Sequence, residues 1–135
     1  MEDFRAKLKE AALKARENAY APYSGFRVGA AVRTTAGEVY SAANVENSSY
    51  GLTVCAERNA VFKAISEGHQ EFTHLAICAD TLDPTPPCGA CLQVLFEFAP
   101  ELEIILFTPR GKENIVTLDQ LLPRGFGRRF LEKAK

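Results

Sequence analysis

Three cysteines in this chain stand where a metal ion could be bound. Cys55 lies at the start of a helix predicted from Val54 to Glu67, and Cys88 and Cys91 open a second helix predicted over residues 89–98. The first turn of a helix is locally positive and favours the thiolate, which is the form of cysteine that binds metals. Cys88 and Cys91 also lie on one side of their helical turn. The three sulfurs therefore predict a Zn²⁺ site with one open position, which is typical of catalytic zinc.

Glu57 follows Cys55 by two residues, and we predict that it carries protons. Its carboxylate can reach a water molecule on the metal from the first helical turn without being a ligand. A carboxylate in this place can take a proton from the attacking water and pass it on to a substrate. Three thiolates give the metal cluster a net negative charge, so we expect Arg58 to hydrogen-bond the sulfurs and offset it.

The sequence around these residues resembles the small cytidine deaminases. The resemblance covers nearly the whole chain and rests on the segments Asn44 to Arg58, Pro87 to Cys91, Tyr20 to Ser24, Phe26 to Ala31 and Leu121 to Phe126. It implies hydrolytic deamination of free cytidine and 2′-deoxycytidine to uridine and 2′-deoxyuridine with release of ammonia, in pyrimidine salvage. In that reaction zinc-bound hydroxide would attack C4 and Glu57 would shuttle protons.

The resemblance also implies how the nucleoside is bound. Asn44 and Glu46 would hydrogen-bond the ribose, and Phe26 would pack against the pyrimidine. Ala56 would offer its backbone to the base, and its small side chain would let the ring approach the metal.

Other positions carry implications about the subunits and the surroundings of the sulfurs. Tyr50 and Phe126 would complete the pocket of a neighbouring subunit, which predicts a homotetramer. Gln93 would support the sulfurs. The family usually has arginine where this chain has Leu92, so a surface or subunit contact made by that arginine is expected to be missing.

Helices and strands alternate along the rest of the chain. The periodicity predicts a helix over residues 3–20, strands over 26–34, 38–45, 72–79 and 103–108, and short helical turns from Thr117 to Lys135. This order is typical of an α/β fold in which helices pack on one mixed sheet. The resemblance implies more specifically a three-layer α-β-α sandwich with a mixed five-stranded sheet, formed by a single domain over residues 1–135.

Composition limits the class of substrate and the cellular location. The chain has 135 residues, 47% of them hydrophobic, and a formal net charge of -1, so it lacks the basic field that attracts nucleic acids. A small-molecule nucleoside substrate fits better. The charged first residues do not resemble a signal peptide, and no apolar run approaches the roughly 20 residues of a membrane span. We therefore expect a cytoplasmic protein without a membrane partner, whose cysteines serve metal binding rather than disulfides.

Three other interpretations remain open from the residues alone. The basic segment 124–129 is compatible with a polynucleotide cytosine deaminase. Cys78, predicted to be a core thiol, could instead close a four-cysteine zinc site in a non-enzymatic module. A third interpretation is a deaminase of another cytosine-bearing small molecule such as blasticidin S. His69 and His74 are predicted to have no role in any of these.

Overall fold

The sheet that organises the molecule has five strands in the computed structural model, which describes residues 3–132. The strands are β1 (Val28–Thr34), β2 (Val39–Ala43), β3 (Phe72–Ala79), β4 (Glu103–Phe107) and β5 (Glu113–Thr117). Their order is β2-β1-β3-β4-β5. The β3–β4 pair is parallel and the other pairs are antiparallel, so the predicted mixed five-stranded sheet is confirmed.

Five helices accompany the sheet within the described residues: α1 (Phe4–Ala15), α2 (Ala56–Ser66), α3 (Gly89–Phe98), α4 (Leu118–Leu121) and α5 (Arg129–Glu132). None of the helices in residues 3–132 has the length and apolar character needed to cross a membrane.

Helices cover both faces of the sheet, which confirms the predicted three-layer arrangement. On one face α1 buries Leu8 and Ala12 against a cluster that includes Cys78 and Ile105. On the other face α2, α3 and α4 pack on a larger cluster that includes Ile77. Successive residues of a strand point to opposite faces, so β3 supplies side chains to both cores. This alternation puts Cys78 in the core beneath α1 and Ile77 in the core on the opposite face.

The first helix is shorter than the predicted segment 3–20. It ends at Ala15 and is followed by one 3₁₀ turn over Arg16–Asn18. The backbone N–H of Tyr20 donates to the carbonyl of Asn44 at 2.9 Å, and the N–H of Glu46 donates to the carbonyl of Tyr20 at 2.8 Å. This pairing requires extended backbone at Tyr20, so the helical prediction for residues 19 and 20 was wrong.

The carboxyl-terminal part contains a strand that periodicity did not place. Residues 113–116 were assigned to no element from the sequence and Thr117 to the helical tail, but all five form β5 at the edge of the sheet, where Glu113, Asn114 and Ile115 are exposed. Beyond it α4 and α5 are short, as predicted for the tail. The last part of that predicted tail, residues 133–135, lies outside the described residues.

Candidate active site

Two helix starts bring the three predicted sulfurs together. Cys55 is the N-cap of α2, Cys88 is the N-cap of α3, and Cys91 lies in the first turn of α3. Their Sγ atoms all lie within 4.8 Å of one another. Zn–S bonds of about 2.3 Å put two sulfurs of a tetrahedral zinc site about 3.8 Å apart. The observed spacing therefore fits one zinc ion held by three thiolates.

The protonation of the sulfurs shows why this group suits a cation. Hydrogen bonds from Cys91 and then from Arg58 lower the pKa of Cys55 to about 5, although burial opposes them. The pKa of Cys91 is raised, first by its hydrogen bond to Cys55 and then by burial. The first thiolate thus forms readily, whereas forming a second one beside it costs free energy. A divalent cation bound between the sulfurs removes that cost, so the donor set fits zinc.

Arg58 lies beside the sulfurs, as the sequence predicted. Its Nη2 donates to Cys55 Sγ at 3.7 Å, and this hydrogen bond is the main cause of a raised Arg58 pKa. The Nε of Arg58 is buried and has no hydrogen-bond partner among the described residues. The guanidinium therefore remains charged and faces the sulfur group.

Glu57 is buried in the first turn of α2, with 5% of its surface exposed. The pKa of Glu57 is raised to about 7, mainly by burial and to a smaller extent by the charge of Cys55. A carboxyl group near neutrality can both accept and release a proton at physiological pH.

Cys55, Cys88 and Glu57 line a cavity of about 310 Å³. This volume is in the range of small-molecule sites, which usually measure roughly 300–1,000 Å³. Its wall includes seven of the predicted site residues: Phe26, Asn44, Glu46, Cys55, Ala56, Glu57 and Cys88. Other depressions are larger, including one of about 450 Å³ bordered by Asp80 and Lys112, but predicted site residues do not line that one.

Sequence reasoning missed six residues of the cavity wall: Val28, Thr53, Ile77, Ala79, Thr85 and Pro86. Two kinds of signal could have found some of them. Ile77 and Ala79 alternate with the core thiol Cys78 along β3, which puts them on the opposite face. Thr85 and Pro86 stand close before Cys88 in the chain, so a cavity at Cys88 is expected to reach them.

Asn44 fixes the start of β1 from inside the site. Its Oδ1 accepts from the N–H of Val28 at 2.9 Å, and its Nδ2 donates to the carbonyl of Phe26 at 2.8 Å. A carboxamide has a further N–H and a further lone pair, so a ligand can still be bound. The predicted contact of Asn44 with ribose stays a prediction.

Glu46 is held by the turn that precedes β1. Its Oε1 accepts from the N–H groups of Tyr23 at 3.0 Å and Ser24 at 3.2 Å, and its Oε2 accepts from the Ser24 hydroxyl. The Ser24 hydroxyl is the main cause of a lowered Glu46 pKa. Glu46 is thus an ionised acceptor on the cavity wall, and its contact with ribose stays a prediction.

Two predicted substrate residues do not line this cavity. The exposed fraction is 74% for Tyr50 and 55% for Phe126. Tyr50 borders a neighbouring depression together with Glu46, and the Phe126 ring stacks on Phe130. Their predicted place in the pocket of a second subunit stays a prediction.

Two residues of α3 have surroundings that the sequence did not indicate. Gln93 Nε2 donates to the carbonyl of Phe126 at 2.7 Å, while its predicted support of the sulfurs stays a prediction. Leu92 is only 7% exposed and packs in the core beneath α2 and α3. This side of α3 faces the sheet, and the expected loss of a contact made by the family's arginine stays a prediction.

Cys78 cannot complete a four-cysteine site. It is fully buried in the cluster beneath α1, whereas its neighbours Ile77 and Ala79 face the cavity. Burial raises the pKa of Cys78 to about 11, so it stays a thiol. Within residues 3–132 the group of sulfurs able to hold a metal comprises Cys55, Cys88 and Cys91. The interpretation as a closed zinc module is therefore wrong.

The two histidines lie away from this group. His69 Nε2 is 3.3 Å from Glu38 Oε2, and His74 Nε2 is 3.5 Å from Glu103 Oε2.

Known proteins resemble this chain over most of its length. A family model described as the cytidine and deoxycytidylate deaminase zinc-binding region matches residues 3–107. The cytidine deaminase of Halalkalibacterium halodurans is 49% identical over 123 residues, which cover 90% of this chain and 93% of that protein. The cytidine deaminase of Sporosarcina psychrophila is 47% identical over 122 residues, with 90% of each chain covered.

A solved structure shows the same fold. The crystal structure of cytidine deaminase from Burkholderia pseudomallei superimposes with a TM-score of 0.87 at 47% identity, covering 90% of this chain and 98% of that one. The family match includes all three cysteines of the sulfur group.

Proposed function

The chain belongs to the cytidine and deoxycytidylate deaminase zinc-binding family, and from this membership we propose that it is a zinc-dependent hydrolase that deaminates free cytidine and 2′-deoxycytidine to uridine and 2′-deoxyuridine. One observation carries the proposal. Three sulfurs that can hold a zinc ion lie within 4.8 Å of one another, and two of their residues, Cys55 and Cys88, line a cavity of nucleoside size together with Glu57, a buried carboxyl with a pKa near neutrality.

In this reaction Cys55, Cys88 and Cys91 would hold the zinc ion. Zinc supplies Lewis acidity, which lowers the pKa of water in its coordination shell. Glu57 accepts the proton of the attacking water and delivers it to N3 of the pyrimidine. It then takes the proton from the new C4 hydroxyl group and gives it to the amino nitrogen, which leaves as ammonia. Each proton that Glu57 gains is thus returned to the substrate, so the carboxylate is regenerated.

Arg58 has a supporting role in this proposal. Three thiolates would donate charge to a bound zinc ion and so weaken its lowering of the pKa of water. The hydrogen bond from Arg58 to Cys55 draws charge away from that sulfur, and the N-termini of α2 and α3 act in the same direction.

Nucleoside binding follows from the wall of the cavity. Phe26 would pack against the pyrimidine, and the Ala56 backbone would contact the base. The free hydrogen-bonding capacity of Asn44 and the ionised carboxylate of Glu46 would bind the ribose hydroxyls. Thr53 lies on the same wall.

The assembly and location belong to the same proposal. We propose a homotetramer in which Tyr50 and Phe126 complete the pocket of a neighbour, supported by the exposure of both rings. Residues 1–135 would form a single catalytic domain, with neither nucleic acid nor membrane as a partner. A cytoplasmic role in pyrimidine salvage is supported by four free cysteines, which a reducing compartment preserves.

The direct test is incubation of the zinc-loaded protein with cytidine and with 2′-deoxycytidine, followed by chromatography of the products and an ammonia assay. We expect uridine, 2′-deoxyuridine and one ammonia per turnover. Parallel incubations with blasticidin S and with a single-stranded oligonucleotide test the alternative substrates. A folded, zinc-loaded protein that leaves both nucleosides unchanged would overturn the proposal.

A further inference from the structure

The turn that precedes β1 is tied to the segment that follows β2. The N–H of Tyr20 donates to the carbonyl of Asn44 at 2.9 Å, and the N–H of Glu46 donates to the carbonyl of Tyr20 at 2.8 Å. The side chain of Asn44 donates to the carbonyl of Phe26 at 2.8 Å. Residues 20–26 and 44–46 are therefore held together as one unit, and this unit carries three residues of the cavity wall, Phe26, Asn44 and Glu46.

Ser24 connects two of these wall residues through a single hydroxyl group. The Ser24 hydroxyl donates to Glu46 Oε2, and the N–H of Phe26 donates to Ser24 Oγ at 3.0 Å. The direction of both hydrogen bonds is fixed, because an ionised carboxylate only accepts and an N–H only donates. Consecutive hydrogen bonds of this kind polarise one another. The N–H of Phe26 thus helps to direct the Ser24 hydrogen at Glu46.

Gly25 gives the turn the shape that this chain of hydrogen bonds needs. Its φ angle is 72°, in the left-handed region, and a Cβ atom there would meet no atom within 4 Å. The backbone angle rather than a lack of space therefore favours glycine. The N–H of Gly25 donates to the carbonyl of Ala21 at 2.9 Å, which closes the turn. This turn brings the N–H of Phe26 back onto the hydroxyl of Ser24.

The acceptor positions of Glu46 show what Ser24 controls. A carboxylate has about four of them, two on each oxygen. The N–H groups of Tyr23 and Ser24 both donate to Oε1, and the Ser24 hydroxyl donates to Oε2. The position left for a ligand is thus on Oε2, the oxygen that the Ser24 hydroxyl holds. The same hydroxyl is the main cause of the lowered pKa of Glu46, which keeps this carboxylate an acceptor.

We propose that Ser24 is a positioning residue for nucleoside binding, whose hydroxyl orients Oε2 of Glu46 so that this oxygen accepts a hydrogen bond from a sugar hydroxyl. This inference rests on the proposed function, in which Glu46 binds the ribose. Ser24 borders the depression beside the cavity, whereas Glu46 lines both. Ser24 therefore acts through the carboxylate of Glu46.

The test compares Ser24→Ala with the wild type on cytidine and on 2′,3′-dideoxycytidine, which lacks both ribose hydroxyls. Loss of a hydrogen bond to a charged group corresponds to roughly ten- to hundredfold, and for this indirect effect we expect kcat/KM for cytidine to fall by about tenfold. The fall should come mostly from a higher KM, because sugar binding is shared by the ground state and the transition state. The value for dideoxycytidine should stay close to that of the wild type. If dideoxycytidine is not turned over, its inhibition constant against cytidine replaces kcat/KM in the comparison.

Two control variants separate an effect on Glu46 from a general loosening of the turn. Ser24→Thr keeps the hydroxyl, and the exposed position leaves room for the added methyl group. Ser48→Ala removes a hydroxyl that accepts from the Tyr23 hydroxyl at 3.0 Å, a bond that holds the same turn through side chains other than Glu46. We expect the wild-type ratio of the two substrates in both variants. Circular dichroism and zinc content should match the wild type throughout.

The ratio of the two substrates decides the inference. An unchanged cytidine value in Ser24→Ala, or an equal loss for both substrates, overturns the positioning role, as does the same loss in Ser24→Thr or Ser48→Ala. If Ser24→Ala does not fold, Ser24→Cys decides by the same ratio, because a thiol is a weak donor. A wild-type protein that deaminates neither cytidine nor 2′-deoxycytidine contradicts the proposed function itself, before any variant is compared.

Discussion

Glu57 is subject to opposing influences on its charge. It lies in the first turn of α2, where the helix favours an anion, but it is 95% removed from solvent and close to the Cys55 thiolate. Burial outweighs the other effects and raises its pKa to about 7. Because both charge states are accessible, the carboxyl group can transfer protons in either direction.

Replacing Glu57 by glutamine tests this role with almost no change in shape. Glutamine cannot exchange a proton at neutral pH, so we expect kcat to fall by about 10²- to 10⁴-fold, the usual contribution of a general acid or base. Zinc content measured by mass spectrometry and the circular dichroism spectrum should stay as in the wild type. Substantial turnover in zinc-loaded Glu57→Gln would assign the proton transfers to another group.

Arg58→Ala tests the charge balance around the sulfurs. The variant loses the hydrogen bond to Cys55 Sγ, and hydrogen bonds to charged groups contribute about 1.5–3 kcal/mol. We expect the zinc to be retained and kcat to fall by about tenfold or more. Arg58→Lys keeps the charge without the planar guanidinium, so its kcat should lie between those of the wild type and Arg58→Ala. An unchanged rate in Arg58→Ala would remove the tuning role.

At the scale of residues, the sequence predicts the site best where the residues concerned are neighbours in the chain. Cys55, Glu57 and Arg58 lie within one helical turn, so their proximity follows from the helix alone. The hydrogen bonds of Asn44 to Phe26 and Val28 depend on how β1 and β2 meet, which the residue types do not specify.

The packing of α1 on β1 depends on one glycine. A Cβ atom on Gly29 would lie 2.0 Å from the carbonyl oxygen of Ala12 and 2.6 Å from the backbone nitrogen of Arg16. Both are backbone atoms, so no change of rotamer can relieve the contact. The close approach of α1 to the sheet therefore requires glycine at this position.

Gly29→Ala should weaken the whole fold. Overpacking usually costs about 1–3 kcal/mol, and the rigid backbone around Gly29 puts the expected loss of unfolding free energy at the upper end or beyond. Urea unfolding monitored by circular dichroism measures it. Gly51→Ala is the matched control, because a Cβ there meets no atom within 4 Å. Equal stability of the two variants would contradict the close contact.

Predictability at the scale of elements follows the strength of the local pattern. The predicted limits of β3 and α3 agree with the structure, since both segments have continuous apolar character and are closed by clear breaks. β5 was not placed because most of its residues are exposed and its pairing with β4 is not local. The end of α1 was predicted too late because Tyr20 pairs with distant residues.

At the scale of the whole molecule, the metal-binding group lies between two helices of one layer. α2 and α3 both lie on the same face of the sheet, and their first turns meet at the sulfurs. The α/β class followed from the order of elements, whereas the places of Val28 and Thr53 on the cavity wall depend on how separate segments pack together, which the residue types do not define.

Removal of zinc should therefore destabilise the protein as a whole. A ligand at a thousand times its dissociation constant stabilises the folded state by about 4 kcal/mol. We expect chelation to lower the melting temperature of the wild type, and re-addition of zinc to restore it. Cys78→Ser, which changes a thiol on the opposite face, should keep its zinc and show the same shift. A melting temperature independent of chelation would argue against zinc binding between the two helices.

X-ray absorption at the zinc edge tests the central claim most directly, because it counts the sulfurs around the metal. The account predicts three sulfur atoms at about 2.3 Å and a single oxygen- or nitrogen-weight neighbour in the wild type. Cys88→Ser should lose a sulfur or the metal, and Cys78→Ser should give the wild-type spectrum. Four sulfurs around zinc in the wild type would contradict the account, because no position would remain for the chemistry.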